Sequence, residues 1–193
     1  MSRRGPYAKG LAKREEILDI ALELVAQKGY DRTSVREIAR KAGLSQAGLL
    51  HYFSTKEELF LELLRRRDDR VTEPAEETHR HSVGRLIRAV ERNSREPGLV
   101  QLYVALSAEN ATESGEVREF FQDRYEWLLA QVSEDVRERQ ISGEVTTTRT
   151  AEDIASLLVA AADGLQLQWL LNSDEVDMTE RLSLLWESLK NSK

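Results

Sequence analysis

The stretch Thr33-Ser-Val-Arg-Glu-Ile-Ala-Arg-Lys-Ala-Gly-Leu-Ser-Gln-Ala-Gly-Leu-Leu-His-Tyr-Phe53 decides the fold. Val35, Ile38, Ala39 and Ala42 recur at i, i+3, i+4 and i+7, the stripe of a short helix with one buried face. Ser34 and Glu37 have the spacing of a capping box that opens it. Gly43 closes it and permits the tight turn that follows. Ser45 then stands where it caps a second short helix, whose inward side is Leu49 and Phe53, with Leu44 plugging the turn. Two helices of about two turns each, joined in this way, make a helix-turn-helix. The first residues of its second helix face base edges in the major groove of duplex DNA. Here those residues are Gln46, Ala47 and Gly48: an amide able to address adenine bidentately, beside two residues small enough to let the backbone come close.

The helical period continues on both sides. Ile17, Leu18, Ala21, Leu24 and Val25 mark a first helix over about 11–28, stopped by Gly29, and Ser54 with Glu57 forms a further capping box ahead of Leu59, Phe60, Leu63 and Leu64. After the charged run 65–70 the helices lengthen. Val83, Leu86, Ile87 and Val90 mark one; Pro97-Gly98 opens another bearing Leu99, Leu102, Tyr103 and Leu106; a third covers about 116–140. Thr150 caps a fourth to about Asn172, and Asp177 caps the last, to about Asn191. No stretch alternates with period 2, so the expected fold is all-α, with about nine helices. The expected organisation is a helix-turn-helix head at 1–56, a connector helix at 57–74 and a larger helical domain at 75–193.

Charge divides the chain in the same place. Residues 1–56 hold 11 Lys/Arg and 6 Asp/Glu, a balance of +5, whereas residues 57–193 hold 17 and 28, a balance of −11. A basic head on an acidic protein suits a polyanion, because neutralising phosphates releases counterions. With no Cys among its 193 residues the chain has no disulfide, thiolate metal site or cysteine nucleophile, which fits a reducing cytoplasm. The longest predominantly apolar stretch, 154–162, falls short of the roughly 20 residues of a membrane span, and no apolar stretch follows the basic N-terminus, so neither membrane nor signal segment is expected.

Residues 29–60 run from Gly-Tyr-Asp-Arg-Thr-Ser-Val-Arg through Ala-Gly-Leu-Ser-Gln-Ala-Gly-Leu-Leu-His-Tyr-Phe to Ser-Thr-Lys-Glu-Glu-Leu-Phe, and they closely resemble the signature of the tetracycline-repressor-like (TetR) transcription regulators. The resemblance implies a dimeric repressor, an inducer pocket inside the C-terminal helices and a fourth helix that transmits its state to the DNA heads. It places Thr33 and Ser34 at the phosphate-contacting start of the second helix, and Ser45, Gln46, Ala47 and Gly48 at the base-reading and backbone-approach positions. Tyr52 matches a ring lying along the DNA backbone, and Lys56 matches a phosphate-binding lysine. Where many members carry Tyr after the conserved Leu, this chain has His51 after Leu50, and His51 is expected to take that phosphate contact. Arg36 and Arg40, one turn apart on the side away from Ile38, suit phosphate too, and Arg3, Arg4, Lys9, Lys13 and Arg14 suit a basic arm.

In the C-terminal part, Tyr103, Phe120, Trp127 and Gln166 are candidate liners of a mostly apolar effector pocket, with Glu109 or Asp163 favouring a cationic group if either is buried. Leu157, Leu158, Ala161, Leu165, Leu182, Leu185 and Trp186 are candidates for a homodimer interface built from the last two helices, where Ala160, Ala161, Ala162 and Gly164 permit close approach. His79 and His81 diverge by about 200° on a helix and suggest no metal site. No cofactor is implied, and no constellation of nucleophile, base, metal or phosphate loop points to catalysis. The expected partners are duplex operator DNA, a small-molecule effector and a second copy. The alternatives are an architectural DNA-binding protein without an effector and a helical enzyme.

Overall fold

The computed structural model describes residues 6–69 and 82–191, and among them it holds nine α-helices and no strand. These are α1 (Pro6–Lys28), α2 (Val35–Lys41), α3 (Gln46–Leu50), α4 (Lys56–Asp69), α5 (Ser82–Asn93), α6 (Pro97–Asn110), α7 (Glu116–Ile141), α8 (Ala151–Leu171) and α9 (Met178–Lys190). Arg3, Arg4, the connector beyond residue 69, His79 and His81 lie outside the described residues.

The local start signals act as their chemistry requires. Ser34 Oγ accepts from the Glu37 N–H (3.2 Å) and Ser45 Oγ from the Gly48 N–H (3.0 Å), while Thr150 and Asp177 cap α8 and α9 at 3.1 and 2.8 Å. Two expectations change. α1 begins at Pro6 and not near Leu11, since a proline in a first turn lacks only an N–H that would have no helical partner. The box expected at Ser54 and Glu57 sits one residue later: Thr55 Oγ1 accepts from the Glu58 N–H (3.0 Å), and Glu58 Oε2 accepts from the Ser54 N–H (2.6 Å). With Lys56 as the first helical residue, Thr55 is the hydroxyl that reaches the third amide.

Two apolar cores result. The first joins Ile17, Leu24, Ile38, Leu49, Phe53 and Phe60 of α1–α4 and continues into Leu99, Leu102 and Leu106 of α6 and Val117 and Phe121 of α7. The second joins α5, α7, α8 and α9 through Val90, Val136, Ile154, Leu158 and Leu182. α8 is long and apolar enough to cross a bilayer by length and composition; here it packs against α5, α6, α7 and α9 as the centre of the second core. Buried Asp135 ties this bundle together, accepting from the Val83 N–H at the start of α5 (2.8 Å) and from Arg139 Nε (2.7 Å), so its charge is paired.

α6 is pressed directly onto the head. A Cβ on Gly98 would lie 2.0 Å from the Val25 carbonyl oxygen, so α1 and α6 touch backbone to backbone. One turn on, Gln101 grips the α1–α2 turn: its Oε1 accepts from the Tyr30 N–H (3.0 Å) and its Nε2 donates to Asp31 Oδ2 (3.0 Å).

Candidate functional site

Helices α2 and α3 form a solvent-facing groove of about 650 Å³, lined by Ser34, Arg36, Glu37, Arg40, Leu44, Ser45 and Gln46. Gly43, with φ of +67°, makes the turn between the helices, and Leu49 and Phe53 anchor α3 from below, leaving Gln46 and Ala47 exposed at its start. A Cβ on Gly48 would meet Ser45 Oγ at 3.3 Å, which explains a small residue beside the cap. Arg36 and Arg40 are exposed on the groove wall. The groove's one carboxylate, Glu37, is ion-paired with Lys28, and the hydrogen bond from Lys28 holds it below the usual carboxylate range. The face therefore presents net positive charge. Lys28 had no sequence signal for this part, because the pair spans the α1–α2 turn.

Other expected contacts fall differently. Thr33 is only 1% exposed, and its hydroxyl donates to the Gly29 carbonyl (2.8 Å), so it fixes the turn before α2 instead of facing phosphate. His51 is exposed and stands edge-to-face with half-buried Tyr52, ring centroids 5.9 Å apart. Lys56, at the start of α4, holds its ammonium 4.6 Å from the Tyr30 ring centroid and 5.4 Å from that of Phe60. Lys13 and Arg14 do not form an arm: Lys13 donates to the Ala42 carbonyl (2.7 Å), and Arg14 pairs with Glu62 (3.0 Å) over the Phe53 ring.

A second polar constellation lies between α6, α7 and α8. Tyr125 OH donates to Asp163 Oδ2 at 2.5 Å, and Tyr103 OH lies 3.4 Å from Oδ1 and 3.3 Å from Tyr125 OH. Burial, followed by the Asp163 charge, pushes the Tyr103 phenol above its ordinary range against the opposing pull of Arg124 and the Tyr125 hydroxyl, and burial followed by Tyr103 and Asp163 pushes Tyr125 up as well. The Arg124 guanidinium stands 5.5 Å from the Tyr103 ring centroid. Gln166, 5% exposed, is on the same flank of α8, one turn beyond Asp163. Phe120 is half-buried against Phe121, itself edge-to-face with Tyr103. Trp127 does not join this group: it is 51% exposed, because it lies about 200° around α7 from Tyr125. Glu109 is exposed and accepts from Tyr30 OH (3.4 Å), leaving Asp163 as the acid of this constellation.

Residues 17–63 match the family model of bacterial regulatory proteins of the tetR family, and residues 84–190 match the C-terminal part of BetI-type transcriptional repressors. The HTH-type transcriptional regulator BetI of Rhizobium meliloti (strain 1021) is 31% identical over 181 residues, 89% of this chain and 85% of that protein. The chain belongs to the TetR family. Among solved structures, a transcriptional regulator from Saccharomonospora viridis in complex with choline is similar with a TM-score of 0.72 at 26% identity, over 94% of this chain and 97% of that one. FadR of Bacillus subtilis, in complex with stearoyl-CoA, shares the fold at a TM-score of 0.65 and 20% identity, over 93% and 98%.

In this TetR-family regulator the expected interface residues of α8 and α9 divide between two faces. Leu158, Leu165, Leu182 and Trp186 are buried within the chain's own second core, and Ala161 and Leu185 are half-buried against it. Leu157 is exposed, and with Ala160, Gly164, Leu167 and Leu171 it forms the outward stripe of α8; Leu184 is its counterpart on α9. Leu171 is 81% exposed. The correction has a geometric cause, since the sequence-derived arc is centred on the side of α8 that meets its own bundle.

Proposed function

We propose that this regulator is a cytoplasmic, non-catalytic repressor that binds a near-palindromic operator as a homodimer and is released by a small-molecule effector. The observation that carries the reading is the exposed, positively charged α2–α3 groove with Gln46 at the start of the recognition helix. Ser45, Gln46, Ala47 and Gly48 approach the bases, while Arg36, Arg40, His51, Tyr52 and Lys56 meet phosphates. A single short helix reads few base pairs, so two heads about one DNA turn (~34 Å) or more apart supply specificity. The outward stripes of α8 and α9 bring the copies together, placing Leu157 at the interface and leaving Leu158, Leu165, Leu182 and Trp186 to support it from within. The working division is a head at 1–56, a connector at 57–74 and an effector and dimerisation part at 75–193.

The effector enters among α6, α7 and α8, where Tyr103, Tyr125, Asp163 and Gln166 gather. The choline held by the Saccharomonospora viridis relative supports an organic cation in preference to an acyl group. Selection of bound fragments from random duplex DNA, followed by mobility shifts with and without choline, tests the reading. A recovered inverted repeat bound at physiological salt is expected. Equal affinity for selected and random duplexes would overturn it, and specific binding that no added compound weakens would favour an architectural role.

A further inference from the structure

We infer that Tyr30 is a positioning residue for DNA binding: its ring, together with that of Phe60, holds the Lys56 ammonium ready for a backbone phosphate without neutralising it. The inference rests on the reading that Lys56 meets phosphate. Its first support is geometric. The Tyr30 ring, from the α1–α2 turn, and the Phe60 ring, from α4, stand at 81° with centroids 5.0 Å apart. The Lys56 ammonium sits in this corner, 4.6 Å from the Tyr30 centroid and 5.4 Å from that of Phe60. Neither ring is free to swing, since Phe60 is fully buried and Tyr30 is 5% exposed. α6 also holds Tyr30 at both ends: its N–H donates to Gln101 Oε1 (3.0 Å) and its hydroxyl to Glu109 Oε2 (3.4 Å). Burial and then the Glu109 charge push the phenol up to about 12, so the hydroxyl keeps the proton it donates.

The second support is electrostatic. Lys13, Arg14 and Lys28 of the same head each pair with a carboxylate, on Glu16, Glu62 and Glu37 respectively. A phosphate would have to compete with those carboxylates. Ring faces hold a cation through their quadrupole and cancel none of its charge. Among the described residues the Lys56 ammonium has no ion-pair or hydrogen-bond partner, so its N–H donors and its full charge remain for an outside anion. A lysine on a flexible four-carbon stem loses rotamer freedom when a phosphate pins it, and the aromatic corner removes that freedom before DNA arrives.

The test is binding of the full chain to a random-sequence duplex, followed by fluorescence anisotropy over a salt series well below the melting temperature. Lys56→Met is expected to reduce the salt slope by about 1. Tyr30→Leu, which removes the ring, is expected to weaken binding about three- to tenfold in the wild-type background and to have no further effect in the Lys56→Met background. Two gentler changes keep the core filled. Tyr30→Phe is expected to bind within about twofold of wild type, whereas phenylalanine carrying three ring fluorines at the same position, nearly equal in shape but with a weakened negative face, is expected to lose as much as Tyr30→Leu. An equal loss from Tyr30→Leu in both backgrounds marks a merely structural role and overturns the inference. Fluorination without effect overturns it too. Both results leave the phosphate reading of Lys56 intact as long as Lys56→Met flattens the slope; an unchanged slope in Lys56→Met defeats that reading and the inference with it.

Discussion

Replacing Gly98 by Ala measures how firmly α6 is locked to the head. The added Cβ would lie 2.0 Å from the Val25 carbonyl oxygen and 2.7 Å from its carbon. Close carbon–oxygen contacts sit at about 3.3–3.6 Å, so α1 and α6 must part by roughly 1.3 Å. The obstructing atoms are backbone and cannot rotate aside. Overpacking of this kind costs about 1–3 kcal/mol. Against it stands the helix-propensity gain of Ala over Gly, at most about 1 kcal/mol and smaller in a first turn. The net expectation is a loss of about 1–2 kcal/mol, which for a chain of this length lowers Tm by about 3–6 °C. Gly10→Ala is the matched control, because nothing lies within 4 Å of its added Cβ. Only the propensity gain remains there, and Tm should rise by about 2–4 °C. Thermal unfolding by circular dichroism at one fixed protein concentration reads both. If Gly98→Ala stabilises as much as Gly10→Ala, the two helices are not in backbone contact and the argument fails.

Gln46→Ala should weaken operator binding by about 1–3 kcal/mol and relax base preference at one position, read by selection from randomised duplexes; unchanged preference would remove Gln46 from base reading. Lys56→Ala should weaken binding to all duplexes alike and reduce the salt slope by about 1, measured by mobility shifts over a salt series. Leu167→Glu together with Leu184→Glu, on the outward faces of α8 and α9, should give a 22.0 kDa monomer in sedimentation, and a persisting dimer would place the interface elsewhere. The Glu62 carboxyl lies below the usual range, since burial would raise it but hydrogen bonds from Arg65 and Arg14 outweigh that. A depressed folded pKa contributes stability above the unfolded value, near pH 4.3, and loses it as pH falls through the folded value. Glu62→Gln should therefore make Tm fall less steeply below about pH 5; an unchanged acid limb would count against these bonds.

What the sequence disclosed was local. Ser34, Gly43, Ser45, Leu49 and Phe53 act within one or two helical turns of their partners, so their spacing alone specifies α2, the turn and α3. Thr33 was misplaced because a polar residue before a helix looks like surface, while the hydroxyl is consumed by Gly29 one turn earlier. α8 carries apolar residues on every side, and no periodicity says which of them meet α7 and α9 and which remain outward. The remaining surprises join distant positions: Gln101 to Tyr30 across 71 residues, and Tyr125 to Asp163 across 38. Such pairs leave no periodic trace, and neither Tyr125 nor Gln101 had a motif to announce it.

The grip of α6 on the head also orders events during synthesis. Leu99, Leu102 and Leu106 complete the core that α6 shares with α1 and α4, and Gln101 closes the turn that sets the start of α2. A growing chain that has released only its first 56 residues lacks all four. At about 5–20 residues per second, residue 110 follows residue 56 by roughly 3–11 s. For that interval the α1–α2 turn exists without its clamp. A ribosome-bound fragment that ends before α6 therefore carries α2 and α3 behind a turn that nothing yet clamps.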